Sequence, residues 1–329
     1  MCRIKAISAT ALLLALAWAG GSAGAARAEA QAQAPVPTLE RIRETGHIRI
    51  GYGDTAPFSY RLPDGQVVGY SIEICNKLSE SLRQQLGLER LDIEYVYRTP
   101  RNRIQLLNDG LYDIECNAST NTSERRRSVA FTYSHFYATT RYVALARNNL
   151  RTWNDLRGRS VSVALGSINI GEINDLNRDR GLHLSIVPAD GLQAAFDLVA
   201  DGQVSSFAID DVLLSAMIAQ SDNPKDFTLS VEPIAEPKPY GFMIRLGDDE
   251  FKQAVNSALA LLYRDPSMKQ TYSRWFEQAI PGQGINLHQP MSDHLRKVLA
   301  NPVEETETKK TLSTAQSALA PVVHQTAYD

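Results

Sequence analysis

The chain has three cysteines in 329 residues, six scattered histidines and a formal net charge of only -3. Each scarcity removes a class of function. So small a charge supplies no global basic field for a nucleic-acid partner. The histidines show no metal-ligand spacing, and two of them, His288 and His294, lie near the C-terminal end, so no metal is expected. There is no phosphate loop, no G-x-G-x-x-G and no G-x-S-x-G elbow, and therefore no sign of a nucleotide or other cofactor or of a serine nucleophile. No apolar run reaches the roughly 20 residues that span a bilayer. The remaining composition, 43% hydrophobic and 22% charged, is that of an ordinary globular protein.

The N-terminus is informative. Arg3 and Lys5 precede an apolar stretch, Ala9 to Ala19, and small residues follow up to Ala26-Arg27-Ala28. This pattern reads as a secretory signal peptide over 1–28, cleaved after Ala28 or, alternatively, after Ala25. Residues 29–36 form a Pro/Ala/Gln linker. Cys2 lies ahead of the apolar stretch, so lipid attachment at a cleaved cysteine is not supported. Cys75 and Cys116 then remain in a chain bound for an oxidising compartment. They read as a disulfide, closing a loop of about 40 residues and stabilising by about 2–4 kcal/mol, or as two buried free thiols.

The length predicts about two domains. Strand and helix alternate along both halves, which argues for an α/β architecture. Thr38 caps a short helix from Leu39 to Thr45, and His47 to Tyr52 alternates as a strand. A helix from Ser71 to about Leu86 carries Ile72, Cys75, Leu78 and Leu82 on one face, which should be core. Further strands are expected at Ile93 to Tyr97, Tyr112 to Cys116, Ser160 to Ala164, Leu184 to Val187, Ser205 to Ile209 and Gly241 to Leu246. Two loops follow strands, GDTAPFSY (Gly53 to Tyr60) and LGSINIG (Leu165 to Gly171), the place where open α/β sheets bind ligands. Tyr133 to Tyr137, with His135, is read as packing.

The most distinctive stretch is DIECNASTNTSERRR, Asp113 to Arg127. A strand ends in small and hydroxylated residues, with an acid and three arginines in the same loop. Ser119, Thr120 and Thr122 can offer hydroxyls and amides, and Arg125 a two-pronged donor to a carboxylate. The backbone carbonyls of Asn117 and Ala118 would face an ammonium. By itself this stretch also fits a polar surface turn.

Asn102 to Arg126, together with APFSY after the first strand, GYSIEIC at the first long helix, the LGSIN loop and the pair Asp210-Asp211, resembles the extracytoplasmic solute-binding proteins of polar amino-acid ABC transporters. The likeness is greatest to the glutamate/aspartate-binding branch and covers about residues 39–299. It implies a type II periplasmic binding protein fold, a monomer of two lobes, each a mixed sheet flanked by helices, joined by two hinge strands near Ala138 to Tyr142 and Pro233 to Pro239. Lobe 1 would be 37–138 with 239–299 and lobe 2 144–236, with 300–329 a disordered tail. A free amino acid would lie between the lobes, to be passed to an inner-membrane ABC permease from a periplasmic location.

By resemblance, Arg125 holds the ligand α-carboxylate, assisted by Thr120 and by the amides of Ser167 and Ile168, while Ala118 and Asp210 receive the α-ammonium. Ser167 also fits simple capping of the following helix. Of the positions that read an acidic side chain in that branch, Arg103 is retained; Gly53, Pro100 and Gly191 or Leu192 stand at the others, so either Arg101 compensates or the pocket is retuned toward an uncharged or bulkier side chain. Phe58 is a candidate for stacking on the ligand. The same fold also supports an exported dehydratase of the cyclohexadienyl type, with Glu172 as its acid, or a sensor that hands its liganded form to a membrane receptor. Retention of both ammonium partners favours transport.

Overall fold

The structure, a computed structural model, describes residues 36–305. The expected signal peptide, the linker before Val36 and the tail beyond residue 305 lie outside the described residues.

The first lobe opens with α1 (Thr38–Thr45) and β1 (His47–Tyr52). Thr38, expected to cap this helix, is its first residue; Pro37 holds the N-cap position, and the Thr38 hydroxyl donates instead to Asp248 Oδ2 at 2.5 Å. A small hairpin, β2 (Tyr60–Arg61) and β3 (Val67–Val68), leads to α2 (Tyr70–Gln85), β4 (Asp92–Tyr97), α3 (Arg103–Asn108) and β5 (Ile114–Glu115). In α2, Ile72, Cys75, Leu78 and Leu82 are all buried, as their spacing on one helix face requires. The long strand β6 (Val129–Ala138) then carries the chain out of the lobe.

The second lobe contains β7 (Thr140–Leu145), β8 (Ser160–Ala164), α4 (Asn169–Arg180), β9 (Ser185–Ala189), α5 (Leu192–Ala200), β10 (Ser206–Asp210), α6 (Asp211–Gln220) and β11 (Phe227–Leu229). The chain returns through β12 (Lys238–Arg245) and closes the first lobe with α7 (Asp249–Arg264), α8 (Ser267–Phe276) and α9 (Asp293–Ala300).

The two sheets have matching plans. The first runs β4-β1-β5-β12-β6 and the second β11-β7-β10-β8-β9. In each, three parallel strands are followed by an antiparallel strand that has just crossed from the other lobe: β12 beside β5, and β7 beside β10. The two crossings run side by side, with Lys238 in register with Ala138. Open sheets of this kind present ligand sites at the carboxyl ends of their parallel strands. Here those ends, at Tyr52, Tyr97 and Glu115 in one lobe and Ala164 and Asp210 in the other, lead into the residues of one cleft.

Behind the first sheet lies an aromatic core. Phe58 packs on Phe136 at 5.0 Å between ring centroids and on Phe276 at 5.7 Å, and His135 stacks on Phe242 at 4.4 Å. Burial of each such side chain stabilises by about 1.5–3 kcal/mol. The run from Tyr133 to Tyr137 is therefore packing, as read. Cys75 and Cys116 are bridged, which ties α2 to the residue that follows β5 and fixes the backbone just ahead of Asn117 to Thr120. The part of the expected disordered tail that is described is anchored. Ala300 ends α9, Glu304 pairs with Lys252 at 2.8 Å, and Glu305 accepts a hydrogen bond from the Tyr137 hydroxyl.

Candidate functional site

The loops at the sheet ends face one another across a narrow cleft. Lobe 1 contributes Thr55, Arg98, Pro100, Arg103, Asn117, Ala118, Thr120 and Arg125; lobe 2 contributes Ser167, Ile168, Asn169, Leu192, Ile209, Asp210 and Leu213. Seven of the residues picked from the sequence, Arg103, Ala118, Thr120, Arg125, Ser167, Ile168 and Asp210, meet on these walls. Phe58 does not. It is fully buried among Tyr70, His135, Phe136, Tyr240 and Phe276, because the loop after β1 turns its aromatic residue into the hydrophobic core and leaves Thr55 on the cleft.

Arg125 is 9% exposed, and its guanidinium donates to the Thr120 carbonyl at 3.0 Å and, across the cleft, to the Gly166 carbonyl at 3.1 Å. Arg103 donates to the same Gly166 oxygen at 3.1 Å. Gly166 has φ +81°, and a Cβ there would lie 2.5 Å from the Pro100 carbonyl oxygen of lobe 1. Glycine at this position is what lets the two lobes meet backbone to backbone.

Asp210, the last residue of β10, is 6% exposed. Its carboxylate accepts from Asn169 Nδ2 at 2.9 Å and, from lobe 1, from the Tyr240 hydroxyl. Burial raises its pKa, while the hydrogen bonds from Tyr240 and Asn169 oppose the rise. A buried carboxylate so placed favours a cationic partner. Ser167 N–H closes a turn to the Ala164 carbonyl at 3.1 Å, and among the described residues its buried hydroxyl has no hydrogen-bond partner. The Asn117 carbonyl, expected to face an ammonium, accepts instead from the Ser71 hydroxyl at 3.1 Å.

Sequence reasoning missed Arg98, Glu115 and Asn169. Arg98 follows β4 and forms a buried ion pair with Glu115, their side chains being 2% and 0% exposed. The signals were present: a charged residue inside a short apolar strand, and an arginine at the carboxyl end of another. Arg98, Arg103 and Arg125 lie close enough that the charge of Arg98 disfavours ionisation of the other two. Burial, foremost, pushes the Arg103 guanidinium well below the arginine range, with Arg125 and then Arg98 acting in the same direction. For Arg125 burial acts downward too, opposed by Glu115 and Asp210. Guanidiniums nevertheless stay charged. Of the charged residues on the cleft walls, Arg98, Arg103 and Arg125 stand with the single carboxylate Asp210, and Arg98 is paired behind the wall with Glu115.

Glu172, the candidate acid of an elimination, is held by Lys238, Thr140 and Asn169 beside the hinge and is not among the residues lining the cleft. No group of three or more His, Cys, Asp or Glu side chains among the described residues has the arrangement of a metal site.

A family model for bacterial extracellular solute-binding proteins, family 3, matches residues 48–278, which takes in both sheets and the whole cleft. The chain belongs to this family. The solute-binding protein is 33% identical to the L-glutamate/L-aspartate-binding protein of Pseudomonas aeruginosa over 82% of its own length and 89% of that relative's. It is 30% identical to the glutamate/aspartate import solute-binding protein of Escherichia coli, over 80% and 88% of the two chains. A solved ancestral amino acid-binding protein, a precursor of cyclohexadienyl dehydratase, shares the fold with a TM-score of 0.61 and 24% identity over 73% of this chain and 99% of that one. The resemblance read from Asn102 to Arg126 and the two-lobed fold expected from it are both borne out.

Proposed function

We propose that this solute-binding protein is a periplasmic receptor that closes its two lobes on a free acidic amino acid, glutamate or aspartate, and delivers it to an inner-membrane ABC permease. The observation that carries the reading is the charge pattern of the cleft. Arg125 and Asp210 stand on facing walls with opposite charges, the arrangement needed by the carboxylate and ammonium of one amino-acid head. Arg103, a further cation on the same wall, suits a second carboxylate on the ligand.

In this reading Arg125, with Thr120, the Ser167 hydroxyl and the N-terminal end of α4 at its N-cap Ile168, holds the α-carboxylate. A helix N-terminus supplies partial positive charge to the same group. Asp210 and the Ala118 carbonyl take the α-ammonium. Pairing both charges compensates a desolvation that otherwise costs several kcal/mol per ion. Arg103 faces the side chain. Lobe 1 is taken as 37–138 with 239–299 and lobe 2 as 144–236, with a cleaved signal peptide over 1–28 and a monomeric mature chain. The names of the two curated relatives support an acidic ligand.

The protein binds without turning its ligand over, since the carboxylate an elimination needs is neutralised by Lys238 outside the cleft. Incubation with prephenate and arogenate should give no product. Calorimetric titration of the purified protein with the common amino acids should give heat with glutamate and aspartate above all. Absence of binding to any amino acid overturns the reading. Loss of labelled glutamate uptake on deletion of the gene separates a permease partner from a membrane sensor.

A further inference from the structure

We propose that Arg98 reads the side-chain carboxylate of the ligand and determines the preference for an acid over the corresponding amide. This rests on the receptor reading above, and names the residue on which its selectivity turns.

Arg98 continues β4, its N–H donating to the Tyr52 carbonyl at 2.8 Å, so its backbone is part of the sheet edge. The side chain runs beneath Gly53. A Cβ on Gly53 would lie 2.9 Å from the Arg98 carbonyl oxygen, 3.1 Å from Arg98 Nη1 and 3.2 Å from Asn117 Nδ2. The missing side chain at Gly53 is the space in which this guanidinium sits.

The pairing of Arg98 is incomplete in a way that points to a ligand. One Glu115 oxygen receives both Arg98 and the Ser119 hydroxyl, the latter at 3.0 Å. Among the described residues Arg98 Nε, Asn117 Nδ2 and the other Glu115 oxygen have no hydrogen-bond partner, although each is buried. A buried pair serving only the fold gains most when every prong is satisfied, because each unsatisfied buried polar group costs free energy. Here the unsatisfied donors Arg98 Nε and Asn117 Nδ2 belong to two residues of the cleft wall. Both require an acceptor. Glu115 neutralises and orients the guanidinium, and Arg103 stands within Coulombic reach of it, so an incoming carboxylate meets two cations but only one local acid. An amide in that position forfeits the charge-assisted part of the interaction.

The test is calorimetric titration of the purified protein and three variants with L-glutamate and L-glutamine, each protein being checked by its thermal melt. Arg98→Met alone strands Glu115, so it is combined with Glu115→Gln, which keeps the volume and removes both charges. Relative to the unmodified protein, the double variant should lose on the order of ten- to a hundred-fold of its glutamate-over-glutamine preference, glutamate affinity falling much further than glutamine affinity. Arg98→Lys should keep part of the preference. Gly53→Ala, which leaves every charge in place but crowds Nη1, should lower it as well. An unchanged preference in the folded double variant overturns the inference. If that variant does not fold, an unchanged preference in both Arg98→Lys and Gly53→Ala overturns it equally. An unmodified protein that binds both ligands alike removes Arg98 as a reader but leaves the receptor reading, whereas one that binds no amino acid removes both.

Discussion

Gly166→Ala places a methyl group where the second lobe touches the first, and so separates the cost of folding from the cost of closure. Two penalties are involved. At φ +81° an alanine is strained by about 1–2 kcal/mol whether the lobes are apart or together. The new Cβ would also lie 2.5 Å from the Pro100 oxygen and 2.9 Å from the Arg101 Cα, contacts that exist only while the lobes meet. Both neighbours are backbone and cannot rotate away. Relieving such overpacking costs about 1–3 kcal/mol. The second penalty lowers the population of the closed form, and the apparent dissociation constant rises in proportion. For glutamate the loss should be about 5- to 150-fold. It also shifts the carbonyl that receives Arg103 and Arg125, so the true value should lie in the upper part of that range. The assay is titration calorimetry beside a thermal melt of the ligand-free protein. A ligand-free melt lowered by only a few degrees, with affinity much reduced, is the expected pair of results. Affinity within two-fold of the unmodified protein, in a folded variant, would refute the idea that this contact is made in the liganded closed form.

Arg125→Ala should weaken every amino-acid ligand, acidic or neutral, by at least about 30-fold, since a buried charged partner of the common α-carboxylate is worth about 2–5 kcal/mol; retained affinity measured by calorimetry would reassign that carboxylate. His135 supplies a pH dependence of stability. Its pKa is held down to about 3 by burial, so the folded state resists a proton that the unfolded chain accepts near pH 6.5. Its contribution is complete above that value and shrinks as pH falls, by about 1.4 kcal/mol per unit, or about 2 kcal/mol by pH 5. Asp210 and Asp211, whose pKa values burial raises, pull the other way. Urea denaturation of the protein and of His135→Phe at pH 7.5 and pH 5 isolates the histidine: the variant should lose less stability on acidification. Removing the bridge by Cys75→Ser with Cys116→Ser frees a separation of 41 residues. The chain-entropy estimate is a loss of about 4 kcal/mol, visible as a melt lowered on the order of 10 °C.

Much of the framework was legible because its signals are local. His47 to Tyr52 and Ser160 to Ala164 form strands with the bounds that their alternation and flanking residues indicate, and the buried face of α2 follows from the spacing of four side chains. The ordered motifs from Asn102 to Arg126 pointed to the family, and with it to Arg125 and Asp210. Boundaries moved where a neighbour intervened. The expected strand from Tyr112 to Cys116 pairs only over Ile114–Glu115, and Thr38 gave up its capping role to bond Asp248.

The sequence by itself determined which segments are strands and helices, that they divide into two similar halves, and that a loop between them is rich in donors. Those properties depend on neighbours two to four positions apart, within reach of periodicity. Only the tertiary structure decided that Arg98 is a buried wall of the cleft, that Phe58 is core, that Glu172 is spent on Lys238, and that three arginines stand on the cleft walls with the single carboxylate Asp210. An arginine after a strand looks the same in one dimension whether it ends in water or beneath a distant glycine. What distinguishes the two cases is which strand ends, tens to more than a hundred residues apart, the paired sheets bring together.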